Sequence, residues 1–329
     1  MKKITTKKTL NNQNFNQEAT ENLKTIINIS KDKESFLLSR DKIFAEVKKL
    51  INQGADINTQ VEDERTLLHC VVSIGDLEIV EYLLKNGASM NILDDFRNTA
   101  LFYAKEKNMA KLLLENGADI NFQNYFGETP LMYRLCKNNI NTELIEFLID
   151  SGTDVNKKCD VMENALICAM KFLDDTEGVK VFKKLIKLTD DLNSKEVNGE
   201  SALQIAASQR KNNAVKLLIE NGANIDIQSK DGWTALMVAA RHNNYELGKF
   251  LIENKANLNL QECFGKTALM YAVKYSTSIA ILLIDKGADL FIEDEDGLTA
   301  IDYCRNKYLN KYILYKQKKL SKNANEKQF

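Results

Sequence analysis

Histidine, tryptophan and proline are almost missing from this 329-residue chain, which has two His, one Trp and one Pro. So few histidines leave little from which to build a metal centre or a proton relay. His69 adjoins Cys70, but neighbours on a helix diverge by about 100 degrees and cannot clamp one ion. His242 has no cysteine nearby in sequence. No G-x-x-x-x-G-K-[ST], H-E-x-x-H or G-x-S-x-G occurs. The acidic run Glu293-Asp294-Glu295-Asp296 lacks the alternating ligands of a calcium loop and reads as a solvated hairpin. The expectation is a chain that is not an enzyme, with no cofactor and no metal.

Other absences narrow the class further. The six cysteines show no C-x-x-C and no framework spacing, which points to reduced thiols and a cytoplasmic home. The longest apolar run is about that of Ile279 to Ile284, too short to span a bilayer. The N-terminus starts basic, but Thr9-Leu10-Asn11-Asn12-Gln13-Asn14 stands where a signal peptide needs an apolar core. The single Pro130, set against many Asn, Lys and Ile residues, speaks of an AT-rich genome rather than of function. Net charge is −1, yet the first twenty residues carry +3 and residues 305–329 carry +7, so the body between holds −11. Such a body repels phosphate, and nucleic acid is not an expected partner.

What the chain has in abundance is repetition. Gly54-Ala55-Asp56-Ile57-Asn58 returns as Gly87-Ala88-Ser89-Met90-Asn91, Gly117-Ala118-Asp119-Ile120-Asn121 and Gly152-Thr153-Asp154-Val155-Asn156. It comes again at Gly222-Ala223-Asn224-Ile225-Asp226, Lys255-Ala256-Asn257-Leu258-Asn259 and Gly287-Ala288-Asp289-Leu290. A second landmark accompanies it, beginning at Thr66, Thr99, Thr129, Ser201, Thr234, Thr267 and Thr299. The intervals 66 to 99, 201 to 234 and 234 to 267 are each 33 residues. A fixed period of this size means stacked units, each too small to bury its own apolar face.

The unit from Ser229 to Gln261 is the cleanest. Lys230-Asp231-Gly232-Trp233 predicts a turn that uses the backbone freedom of Gly232. Thr234 stands at an N-cap, and Leu236, Ala239 and Ala240 form the small apolar face of a first helix. After Arg241-His242-Asn243-Asn244, the residues Leu247, Phe250, Leu251 and Ile252 form the stripe of a second helix. Elsewhere a glycine follows that helix, matching a left-handed C-terminal closure; here Lys255 takes the place.

The pattern D-x-x-G-x-T-P-L-H-x-A-A, followed by I-V-x-x-L-L-x-x-G-A-D-I-N, resembles the ankyrin repeat. Thr66-Leu67-Leu68-His69 with Glu78 to Ala88, and Asp231 to Leu236, carry it most closely. The resemblance implies an all-α solenoid of β-hairpin-like turns and antiparallel helix pairs, stacked along a curve. It implies that partners are bound through the hairpin tips and the concave face of the first helices. It also implies that His69 serves hydrogen bonding between units.

On this reading residues 1–31 form a polar, largely disordered segment. A repeat domain covers 32–316, and 317–329 form a basic disordered tail. Seven full repeats are expected near 61–93, 94–123, 124–158, 159–195, 196–228, 229–261 and 262–293. Degenerate caps lie at both ends: Phe36-Leu37-Leu38 with Val47 to Ile51 at one, and Thr299-Ala300-Ile301 with Tyr308 to Ile313 at the other. The unit 94–123 is three residues short. The unit 159–195 departs most, with Asn164 for the Thr cap, Met162 for the turn Gly, and a longer loop from Phe172 to Gly178. Drift in one unit explains this, and a soft joint is the sharper alternative.

Candidate binding residues follow from position. The tips carry Phe96, Tyr125, Phe126, Trp233 and Phe264, aromatic anchors for a partner. Lys107, Lys137, Gln209, Arg241, His242, Lys274 and Tyr275 are expected on the first-helix face, where a cationic bias suits a protein with an acidic surface. The function expected is noncatalytic protein–protein recognition by a monomer without a membrane span. The alternatives are an exported effector that binds a host protein, and attachment to anionic membrane through Lys316 to Lys327.

Overall fold

The computed structural model describes residues 15–137 and 140–326, with side chains as far as 321. Among these residues there are seventeen α-helices, one 3-10 turn and two isolated β-bridges, at Lys195–Ser201 and Gln261–Thr267. The chain forms two compact units divided between Pro130 and Leu131.

In the first unit, α1 (Gln17–Ser30) packs on α3 (Arg40–Asn52) and on α4 (Leu67–Ile74), with α2 (Lys33–Leu38) between α1 and α3 in sequence. Residues 17–30 are therefore helical, contrary to the disorder expected over 1–31; residues 1–14 lie outside the described part. The reason is local. Asn16 accepts from the Ala19 amide at 3.1 Å, and Ala19, Leu23, Ile26 and Ile27 fall on one buried face. Burying each of the large ones contributes about 1.5–3 kcal/mol.

The next repeats pair α4 with α5 (Leu77–Lys85), then the 3-10 turn Ala100–Tyr103 with α6 (Lys107–Glu115). Losing three residues shortens the first helix of that unit to the single turn. In the second unit the pairs are α7 (Pro130–Leu135) with α8 (Thr142–Asp150), and α9 (Ala165–Phe172) with α10 (Val179–Leu188). They continue as α11 (Ala202–Ser208) with α12 (Asn212–Glu220), α13 (Ala235–Arg241) with α14 (Tyr245–Glu253), and α15 (Ala268–Tyr275) with α16 (Thr277–Asp285). Pro130 occupies the first helical position of α7, where its missing N–H costs nothing.

The recurring motif now has a mechanism. Its glycines adopt left-handed angles after each second helix (Gly87 φ 92°, Gly222 φ 94°), and Lys255 is held in the same region at φ 65°. That costs a lysine about 1 kcal/mol relative to Gly. The third residue closes an Asx-turn, as when Asp56 accepts from the Asn58 amide at 2.9 Å. The fifth residue reaches the following repeat. Asn58 accepts from the Ser89 amide at 2.8 Å, Asp226 from Asn257 at 2.8 Å, and Asn259 from Asp289 at 2.9 Å. Within each unit several hairpins are joined to the next by one backbone bond, such as the Cys263 amide to the Asp231 carbonyl at 2.8 Å. Gly232 (φ 82°) is needed twice, because a Cβ there would also stand 2.7 Å from the Cα of Glu262.

The divergent unit keeps this geometry with other residues. Asn164 caps α9 by accepting from Ile167 at 3.0 Å, and Met162 takes the turn at φ 64°. Asn156 still reaches the Asp190 amide at 3.0 Å. At the C-terminal end, Ala300 to Tyr303 make only a turn, while α17 (Lys307–Glu326) runs well past Ile313. Leu309 and Ile313 are buried, and Lys316 pairs with Asp285 at 2.6 Å. The tail expected to be disordered from 317 is thus helical as far as Glu326; residues 327–329 lie outside the described part.

Candidate partner-binding surface

The tip aromatics of the first unit come together. Phe96 and Phe126 stack with ring centres 6.2 Å apart, and Tyr125 meets Phe126 edge-on at 5.5 Å. The Tyr125 amide donates to the Phe96 carbonyl at 2.8 Å, so two rigid turns hold the three rings. They remain 52%, 67% and 48% exposed, although each ring has the chemistry of a core residue. Rigid exposed aromatics lose little entropy on binding and supply large contact area.

A second group forms in the other unit. Trp233 is half-buried. It tilts against Tyr271 of the following repeat, with centroids 4.6 Å apart. The Arg241 guanidinium lies over the Trp233 ring at 5.2 Å, and Lys274 over Tyr275 at 5.0 Å. Burial pushes the Tyr271 phenol up to about 12, while Lys274, with Arg241 and Lys266 beyond it, draws the Tyr275 phenol below its usual value.

Phe264 is exposed at the next tip, its carbonyl accepting from the Glu295 amide at 3.1 Å. His242 follows α13, exposed, and its carbonyl accepts from Arg210 at 3.2 Å. Lys137 follows α7 and covers the Tyr133 ring at 4.1 Å. Lys107 corrects an expectation. It is the first residue of α6, a second helix, and not a member of the first-helix face. The cause is the shortened unit, in which the chain turns back before the slot that a full first helix would reach.

His69 proves structural. Its Nδ1 accepts from the Thr66 amide at 3.2 Å, and its Nε2 meets the Asn98 carbonyl of the next repeat at 3.3 Å. Burial holds the ring below its ordinary pKa. Among the described residues no group of three or more His, Cys, Asp or Glu side chains is placed to hold a metal ion. The cysteines are free thiols; burial raises Cys70 to about 11, and a hydrogen bond with Cys136, together with burial, holds Cys168 well above its ordinary value. Such thiols are poor nucleophiles.

Sequence reasoning missed Tyr271 and Lys266. Lys266 adjoins the cap Thr267 and Tyr271 lies one turn into α15, but their facing partners, Tyr303 and Trp233, lie a repeat away.

The family model described as ankyrin repeats matches residues 39–124, 105–187, 175–262 and 249–325, in overlapping spans that cover most of the chain. The chain belongs to the ankyrin repeat family. Among similar proteins, a putative ankyrin repeat protein of Rickettsia felis is 28% identical over 193 residues, 57% of this chain and 49% of that protein. Alpha-latroinsectotoxin-Lt1a of Latrodectus tredecimguttatus is 35% identical over 85 residues, 26% of this chain and 6% of the toxin. The chain thus spans half or less of these relatives' own lengths. The ankyrin repeat domain of Bcl-3, described as a unique member of the IkappaB protein family, superposes with a TM-score of 0.56 at 22% identity. That match covers 77% of this chain and all of that domain, and it speaks for the fold. Ankyrin repeats are typically protein–protein interaction modules.

Proposed function

We propose that this ankyrin repeat protein is a noncatalytic recognition scaffold that binds a partner protein through its hairpin tips and first-helix face. The observation that carries the reading is the stack of Phe96, Tyr125 and Phe126, three large aromatics exposed together on turns locked by a backbone hydrogen bond. Nothing in the packing of the repeats requires rings there, since the same tip positions of other repeats carry Val161, Val197 and Asn198. The proposal places the scaffold in a reducing cytoplasm and treats it as a monomer, in keeping with its buried free thiols.

The test is a quantitative pull-down from the producing organism's lysate, with wild type against Phe96→Ser, Tyr125→Ser, Phe126→Ser combined. Exposed positions of this kind change stability by about 0.5 kcal/mol or less each, so the thermal midpoint serves as the folding control. A protein retained by wild type and reduced about tenfold or more by the variant, about 1.4 kcal/mol, is the expected outcome. Equal retention would overturn the reading. Retention of nothing would favour the exported alternative, checked by delivery of a fused reporter outside the cell.

A further inference from the structure

Arg241 and Lys274 occupy the same register in consecutive repeats, each seven residues after its cap threonine, Thr234 and Thr267. Lys171 holds that register after Asn164 and behaves differently. It pairs with Glu163 at 2.6 Å and has Glu196 at 3.9 Å. Across the described residues, cations near carboxylates are commonly claimed in this way: Arg40 by Asp76 at 2.7 Å and Glu78 at 2.6 Å, Lys184 by Asp150 at 2.7 Å, Lys316 by Asp285 at 2.6 Å. Arg241 and Lys274 make no ion pair among the described residues; each is exposed and rests on an aromatic ring instead.

The buried carboxylates of the adjoining hairpins, Glu262 and Asp294, are turned onto their own amides, while Asp231, Glu295 and Asp296 are exposed and pair with neither Arg241 nor Lys274 among the described residues. Glu262 accepts from the Phe264 and Lys266 amides at 3.1 and 3.0 Å, and Asp294 accepts from the Asp296 and Leu298 amides at 3.0 Å and from the Tyr303 hydroxyl. Arg241 and Lys274 face outward, one over Trp233, which packs on Tyr271, and the other over Tyr275. This face lies in a body whose net charge, these cations included, is −11.

We propose that this face binds an extended acidic segment of a partner protein. The carboxylates of that segment meet the Arg241 guanidinium and the Lys274 ammonium, and its side-chain stems lie on the rings. The proposal rests on the recognition reading and names the chemistry of its partner. Three features select a carboxylate-bearing strand. The guanidinium stacked on Trp233 keeps its N–H edge open for a bidentate carboxylate. The two cations sit on neighbouring helices, which pack roughly 8–10 Å apart. An extended chain rises about 3.3 Å per residue, so carboxylates two or three residues apart match that interval, whereas one phosphate cannot reach both. The rings then shield the charge pairs from water and strengthen them.

Trp233 is the one tryptophan of the chain, so its emission reports on this face alone. The probe is a blocked peptide of alternating Ser and Glu, titrated into the full chain, with labelled-peptide anisotropy as a second readout. Its controls are the Ser/Gln twin and a neutral peptide with spaced phosphoserines. The expected result is a saturable response to the Glu peptide that weakens as salt shortens the Debye length. The Gln twin should bind at least about tenfold more weakly, and so should the Glu peptide to Arg241→Gln/Lys274→Gln, at about 1.4 kcal/mol per tenfold. Lys249→Gln/Lys286→Gln, an equal charge change at exposed positions, should leave binding intact.

No response at millimolar Glu peptide overturns the proposal, as does equal binding of the Gln twin or equal loss in the Lys249/Lys286 variant. Tighter binding of the phosphoserine peptide overturns it in favour of a phosphorylated partner. A lysate protein that depends on the tip aromatics, together with silence toward the Glu peptide, overturns this inference and leaves the recognition reading standing.

Discussion

His69 and Gln204 stand three residues after the caps Thr66 and Ser201, and they do one task with different chemistry. Each accepts from its cap's backbone amide, and each passes a second bond to the following repeat: His69 to Asn98, and Gln204 to the Ile227 carbonyl at 3.2 Å and to the Trp233 carbonyl. The imidazole does this only when neutral, because Nδ1 must accept while Nε2 donates. Burial holds its folded pKa below the ordinary 6.5 that the unfolded chain retains. The unfolded state therefore binds the extra proton, and the stabilisation is complete above about pH 6.5 and lost as pH falls below it. Denaturation midpoints at pH 7.5 and 5.5 should separate in wild type and converge in His69→Gln. His69→Ala should lose about 1–3 kcal/mol at pH 7.5, since the buried Thr66 amide is left without its acceptor, and less at pH 5.5. At this scale the sequence was readily legible: cap, turn glycine and Asx residue act on backbone within a few positions. The role of Gln204 was not, because a glutamine in a helix has many uses and its partner carbonyls lie 23 and 29 residues on.

At the scale of the element, the inserted loop Phe172 to Gly178 is not idle length. Asp174 closes it on the Thr176 amide at 2.8 Å, and the Asp175 carboxylate accepts from the Asn213 and Ala214 amides at 2.9 and 3.0 Å. Those amides open α12, whose own N-cap residue, Lys211, provides no side-chain cap. Asp175 thus caps a helix in the next repeat, from outside that helix's own sequence. Asp175→Ala should cost about 1 kcal/mol, read in urea denaturation, and should speed amide exchange at the start of α12. With this anchor in place, we expect exchange in 159–195 to be as slow as in 196–261, and the unit to be a divergent repeat rather than a soft joint. Sequence showed the insertion but not its use. A carboxylate in a loop is ordinary until the orphan amides it faces are known.

For the whole molecule, stability in a stacked array is a sum of repeat and nearest-neighbour terms, so the ends matter through the one neighbour each covers. Removing residues 307–329 strips Leu309, Ile313 and the Lys316–Asp285 pair from the last repeat and should lower the thermal midpoint. Removing only 322–329 should leave it unchanged. The stacked-repeat architecture could be read from residue order alone, because each unit's contacts recur at nearly one period and its turns use local backbone chemistry. The helical ends were missed, since α1 and α17 lack the Thr and Gly landmarks and are helical chiefly where an apolar face meets a neighbour. Which cations are free could be decided only in three dimensions. Lys171, Arg241 and Lys274 share one register, and their fates differ with the residue that stands before the cap: Glu163 reaches Lys171 at 2.6 Å, whereas Trp233 and Lys266 hold that place in the other two repeats. Charge pairing depends on distances in space, and no spacing along the chain encodes them.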